Sequence, residues 1–148
     1  MRVNVDTFNY ESIKWKQFGD YTGFGYHLLN VDKANMVIDL LFGFEPNKRC
    51  FYHKHYHPTS TLVLKGEQHI FEPKLNGEEV HKVRKQGEFG LSLGPETHIE
   101  GGGAEGCVIY QNIRATRNLV YSVLNDDLSV NLDVTIDHFY TDFVREAA

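Results

Sequence analysis

Three histidines stand at alternate positions in the segment FYHKHYHPTSTLVLKGE: His53, His55 and His57. Residues i and i+2 of a strand face the same side, roughly 6.5 Å apart along the chain. Two imidazoles placed so can converge on one ion at bonds of about 2.0–2.1 Å. A third or fourth donor must come from elsewhere, and His98 in LGPETHIEGGG is the obvious one. It follows a turn whose glycines let the backbone pass close to a site. Glu100 shares parity with His98, as a fourth ligand or a hydrogen-bond partner of an imidazole, against a plain solvated side chain. His57 keeps the parity of His53 and His55, but Pro58 bends the chain there. It is a candidate pocket-rim residue or general base, against a surface-loop histidine. The competing reading of the whole segment is a polar strand face that happens to be rich in His.

Other residues carry less chemistry. Cys50-x2-His53 is too short a pattern to make a zinc pair, and Cys107 reads as a small core residue. His27, His69, His81 and His138 lack a matched partner and are expected to be structural or exposed. Phe51, Tyr52, Tyr56, Phe89 and Tyr110 lie near the histidine strands, where some could wall an apolar pocket and most would pack the core.

The 148 residues suit one domain, and 41% hydrophobic with 24% charged residues describes a globular, soluble chain. Net charge is −5, with no basic stripe, so nucleic acid and acidic membrane surfaces are poor partners. No apolar run approaches a membrane span. The N-terminal stretch MRVNVDTFNYESIKWKQ lacks an apolar signal core, and two cysteines make no disulfide framework. A reduced, cytoplasmic setting is the default expectation.

Thirteen Gly, ten Phe and eight Tyr lean toward an all-β domain. Residues 1 to about 22 read as an arm anchored by Trp15. Tyr26–Val31 and Met36–Phe44 form a hairpin around DKAN, ended at Pro46 and Asn47. The histidine strand runs on through LVLKGE to a glycine turn at Gly66. Asn76-Gly77 marks another hairpin, with arms over 67–75 and 78–84. Short strands follow near 88–93, at CVIYQNIR and at NLVYSVLN. Ile136, Phe139, Tyr140, Phe143 and Val144 recur at helical spacing, so a helix over about 135–146 is expected, capped by Thr135 or Asp137. Many short strands with frequent turns predict a sandwich or small barrel. Leu62 and Leu64 alternate with Thr61 and Val63, so both faces of that strand are partly apolar, and a second subunit is expected to cover the outer one.

The histidine spacing resembles the cupin superfamily. Its first motif, G-x5-H-x-H-x3-E-x6-G, is matched by Asn47, His53, His55, Thr59 and Gly66. Its second, G-x5-P-x-G-x2-H-x3-N, is matched by Gly87, Leu93, Pro95, His98 and Gly102. The Asn76-Gly77 hairpin fills the space between them. Asn47 tolerates the left-handed backbone that the first glycine serves. Thr59 stands where the motif has its glutamate and is a poor ligand, better suited to packing or to the shell around the site. Leu93, Pro95 and Gly102 also depart from the second motif. The resemblance implies one jelly-roll (double-stranded β-helix) domain over 1–148, with His53, His55 and His98 as metal ligands and a homodimer. It points to three-histidine cupins such as acetylacetone dioxygenase and the cupin-like domain of zinc anti-sigma factors. Three neutral imidazoles leave a divalent ion its full charge and favour an enolate, phenolate or hydroxide partner. Fe(II) and zinc fit that donor set first, with Ni, Mn and Cu compatible. The functions implied are an O₂-dependent enzyme acting on a small carbonyl or enol compound, a metal- or metabolite-binding regulatory module, or a metal-free isomerase using His as acid and base.

Overall fold

The computed structural model describes residues 9–74 and 76–147. The strands are β1 (Phe24–Asp32), β2 (Val37–Phe44), β3 (His53–His55), β4 (Thr59–Glu72), β5 (Val80–Lys85), β6 (Phe89–Ser92), β7 (Glu96–Arg114), β8 (Leu119–Leu124) and β9 (Val130–Thr135). One helix, α1 (Ile136–Ala147), follows. The strands pair into one curled, all-antiparallel sheet. β7 joins its two halves. Its long C-terminal part pairs with β2 and β4, and its first residues pair with β3, which pairs in turn with β8.

The β1–β2 hairpin forms as expected, with Asp32 paired to Val37 across the polar turn. The apolar sides of β1, β2, β7 and β8 meet in one core around Ile38, Leu40, Ile113, Val120 and Val123. Ile136 and Phe139 of α1 close that core, while Tyr140 and Val144 on the same spacing stay half exposed. Thr135 caps the helix reciprocally: its Oγ1 accepts from the His138 N–H at 3.3 Å, and His138 Nδ1 accepts from the Thr135 N–H at 3.1 Å. Trp15 anchors the N-terminal arm by lying flat over Gly43, where an added methyl would meet the indole at 2.8 Å.

Two expectations need correction. Gly66 is not a turn; β4 runs straight through it to Glu72, with register shifts at Val63/Lys65 and Gly66/Gln68. Gly66 sits at φ +71 beside Gly106 at φ +79, so the two glycines make a bulged contact inside the sheet. Across these shifts the inward residues change from Thr59, Thr61 and Val63 to Gln68 and Ile70. Second, Val130–Thr135 is a strand where none was expected: Val130, Leu132 and Val134 alternate at period two, but only Val134 is buried and the run passes straight into the helical spacing of α1. The sharp turn before the histidine segment uses Asn47 at φ +57, the conformation a glycine would adopt.

Candidate metal centre

β3 and the start of β7 set four side chains on one inner face. His53 pairs directly with His98 across the antiparallel ladder, which puts their side chains side by side. His55 lies two residues on along β3, and Glu100 two residues on along β7. All four are buried, and one donor atom from each lies within 4.8 Å of every other. Ligand bonds of about 2.0–2.2 Å hold donors at most about 4.4 Å apart. The four donors thus converge on one point, and a contraction of up to about 1 Å would bring them onto one ion.

The rings are fixed from behind. His98 donates its Nδ1–H to Glu96 Oε1 at 2.9 Å, which leaves Nε2 for the site. His53 Nδ1 faces the Phe51 carbonyl at 3.1 Å, which leaves its Nε2 inward in the same way. Such outer partners set tautomer and orientation in metal sites. His55 Nε2 and His98 Nε2 are buried without a hydrogen-bond partner. Buried nitrogens left unpaired cost about 1–3 kcal/mol each, and a bound cation relieves that cost. Orphaned imidazole nitrogens converging beside a carboxylate fit a divalent metal.

Glu100 is held as firmly as the imidazoles. Its Oε1 accepts from Gln68 Nε2 at 3.0 Å and from Gln111 Nε2 at 3.3 Å. Its Oε2 lies 3.7 Å from His53 Nε2. His98 Nε2 stands 3.4 Å from Glu100 Oε1, a charge contact without hydrogen-bond alignment. Burial pushes His53 down to about 4, helped by repulsion from His98. Burial pushes His55 down to about 3, helped by His53 and His98. For His98, burial also favours the neutral ring, but the Glu100 charge overcomes it and holds His98 up to about 9. Burial works against the Glu100 carboxylate too, and the three imidazoles, His98 foremost, more than offset it, so Glu100 stays ionised. The hydrogen bond from His98 brings Glu96 down to about 2 against the opposing effect of burial.

The metal-free centre therefore favours a protonated His98 beside an ionised Glu100. That proton must leave before Nε2 can ligate an ion. Apparent zinc affinity is expected to rise about tenfold per pH unit, hence about 100-fold from pH 6.5 to 8.5, flattening above pH 9. Competition with a chromophoric chelator checks this; a flat profile would contradict the assignment. The sign for stability is the reverse. The raised His98 value stabilises the metal-free fold below 6.5, and that contribution is lost as pH rises through about 9.

The other candidates lie elsewhere. His57 is buried, not in a surface loop, and points away from the cluster: its Nε2 is 2.6 Å from the Leu119 carbonyl and its Nδ1 accepts from the Thr116 N–H. It ties the β3–β4 corner to β8. Thr59 donates to the His57 carbonyl and does not ligate. Cys50 Sγ lies 3.7 Å from His53 Nδ1, behind the ring. Burial raises both thiols, Cys107 to about 12 and Cys50 further, so neither is a ready nucleophile. His69 and His81 do have a partner, each other, with Nδ1 and Nε2 2.8 Å apart. Gln68, Gln111, Glu96 and Tyr121 were not singled out by the sequence, yet the Tyr121 ring lies 6.0 Å from both His53, edge-on, and His55, tilted.

Two openings reach the cluster. An apolar pocket of about 20 Å³ is walled by Phe18, Phe24, Phe42, Phe44, Phe51 and Tyr121, and His53, His55 and Glu100 face it. Of the five aromatics expected near the site, Phe51 lines it. Tyr52, Tyr56 and Tyr110 bond to Glu79, Ser122 and Asp39, and Phe89 is exposed. A smaller polar cavity of about 10 Å³ approaches from the β4–β6 side, lined by Thr59, Thr61, Arg84, Ser92, Glu96 and His98 among others.

No protein-family model matches the sequence, and no curated protein matches it. Solved structures do match in shape. An RmlC-like cupin protein from Ralstonia eutropha superposes with a TM-score of 0.71 at 11% identity, covering 97% of this chain and 87% of that one. An acetylacetone dioxygenase from Acinetobacter johnsonii gives 0.70 at 13% identity, over 98% of each chain. A cupin-2 domain from Rhodospirillum rubrum gives 0.62 at 11% identity, over 86% of each. Sequences so far apart share architecture alone. The β-barrel, the short C-terminal helix and these superpositions together show that the chain has the cupin fold.

Proposed function

We propose that the protein is a mononuclear metal cupin acting on a small carbonyl- or enol-bearing compound, with O₂-dependent cleavage as the leading reaction. The observation that carries this is the cluster itself: three buried imidazoles, two of them held from behind, and a carboxylate, next to an apolar pocket. The similarity in shape to an acetylacetone dioxygenase supports the same reading. A bound ion would supply Lewis acidity toward a carbonyl or enolate oxygen and, as iron, redox chemistry with O₂. The chain's own residues do the rest. His53 and His55 are neutral donors at any physiological pH. Glu96 and the Phe51 carbonyl hold two rings in the ligating tautomer. Phe and Tyr side chains exclude water and contribute no charge, which suits an uncharged organic substrate. About 20 Å³ admits one water. Anything larger requires the pocket to widen.

Purification under anaerobic conditions with Fe(II), followed by O₂-uptake screening of 1,3-diketones and hydroxyaryl ketones, tests the reaction. Uptake with at least one is expected; none with any would argue oxygenase chemistry out. Glu100 favours a second reading, a closed four-ligand site in a regulatory module that binds metal or metabolite without turnover. Zinc content with no turnover would support it.

A homodimer is also proposed. Phe89 is 64% exposed, Leu91 52% and Leu93 74%, beside half-buried Leu62 paired to Phe89. Such a patch on a monomer is unusual. Light scattering at about 10 μM is expected to give twice the chain mass, and Phe89→Glu is expected to shift it toward the monomer. A monomeric wild type would exclude this. No helix among the described residues is long and apolar enough to cross a membrane.

A further inference from the structure

We infer that Arg84 is a positioning residue for the metal centre: through Gln68 it sets which oxygen of Glu100 faces the ion. The inference rests on the metal-binding reading above. Arg84 of β5 pairs directly with Gln68 of β4. A strand arginine ordinarily sends its guanidinium to water along an apolar stem. Here it lies across β6 at Gly90, where a methyl group would fall 2.3 Å from Arg84 Cζ and 2.6 Å from Nε and Nη2. One missing side chain opens a slot. Through it Nη1 donates to Gln68 Oε1 at 3.3 Å. Gln68, fully buried, passes the contact on by donating Nε2 to Glu100 Oε1 at 3.0 Å.

The direction of this relay is forced at its outer end. A side-chain amide offers oxygen on one side and NH₂ on the other, and either can face a neighbour. A guanidinium has donors and no acceptor. It must take the amide oxygen, so the NH₂ turns to the carboxylate. Gln111 adds a second donor to the same oxygen. Oε1 thus takes both amide donors beside its 3.4 Å contact with His98 Nε2, while Oε2, 3.7 Å from His53 Nε2, takes no amide donor. Glu100 then presents one oxygen in a fixed orientation. Without the guanidinium, the NH₂ still faces the ionised carboxylate, but the amide oxygen is left buried and unpaired and the Gln68 side chain loses the anchor that fixes where it meets Glu100.

Two variants test this independently. Arg84→Met removes the guanidinium. Gly90→Ala keeps it but fills the slot, and the atoms it meets are the mobile end of a side chain, so the backbone need not move. Three measurements are made: zinc affinity by chelator competition, the visible spectrum of the Co(II)-loaded protein, and melting of the metal-free protein. Both variants are expected to weaken zinc about 10- to 100-fold and to change the Co(II) bands. Metal-free Gly90→Ala is expected to melt within about 2 °C of wild type. Arg84→Lys should recover part of the affinity, because an ammonium also donates to the amide oxygen. If Arg84→Met fails to fold, Gly90→Ala decides alone. Unchanged zinc affinity and Co(II) spectrum in the folded variants would overturn the role of Arg84 and leave the metal centre standing. Failure of the wild type to bind zinc would remove the centre and this inference together.

Discussion

His98→Ala is expected to cut the metal content of protein purified without chelator from about one ion per chain to less than about a tenth. His98 is the donor that β7 supplies opposite His53, and its loss leaves two imidazoles and one carboxylate on a buried face. The effect on the metal-free protein is separate and also large. Glu100 is buried with His98 as its nearest cationic partner. Taking that partner away strands a carboxylate, at a cost of about 3 kcal/mol near pH 7; the donors Gln68 and Gln111 remain. Adding Glu100→Gln should return part of the stability but none of the metal. His57→Ala gives the contrast. It severs the tie to Leu119 and lowers stability, yet keeps the metal. Elemental analysis and urea unfolding of the three variants check both effects. Full metal content in His98→Ala would refute the ligand assignment.

Gly66→Ala is expected to destabilise the fold by about 2–4 kcal/mol. Two costs add there. The backbone is left-handed at φ +71, and an added methyl would lie 2.2 Å from the Gly106 carbonyl oxygen. The obstacle is backbone within a paired strand, so neither side can yield without breaking the β4–β7 ladder. Gly77 and Gly87 are also left-handed, at φ +83 and +85, but an added methyl meets nothing within 4 Å. Alanine at either should cost about 1 kcal/mol, the conformational term alone. Thermal unfolding by circular dichroism separates the cases. A Gly66→Ala melting point equal to that of Gly77→Ala would show that the close approach carries no weight.

The histidines were legible because alternation along a strand is a property of the backbone. His53 and His55 share a face wherever the strand goes, and His98 and Glu100 do so by the same rule. Pairing His53 with His98 needed the long-range register, which the motif spacing supplied through resemblance rather than through local pattern. Gln68 was hidden by the parity change at Gly66, which no hydrophobic period announces. Gln111 was hidden likewise, because the GGGAEG run shifts the inward side from His98 and Glu100 to Ile109, Gln111 and Ile113. Glycine read as a turn at Gly66 because the same left-handed backbone serves turns and bulges alike. Val130–Thr135 escaped because its short alternation of Val130, Leu132 and Val134 runs directly into the helical spacing that follows from Ile136. His57 kept the right parity and the wrong neighbours: its corner carries it to the β8 backbone.

β3 is three residues long and lies between β7 and β8, paired to residues some 45 and 70 positions further along the chain. So short a strand gains little until both neighbours are in place, and closing such long loops is entropically costly. The segment that unites these donors is therefore expected to form late in folding. A captured cation would act as a late clasp, coupling occupancy to how long the native state survives.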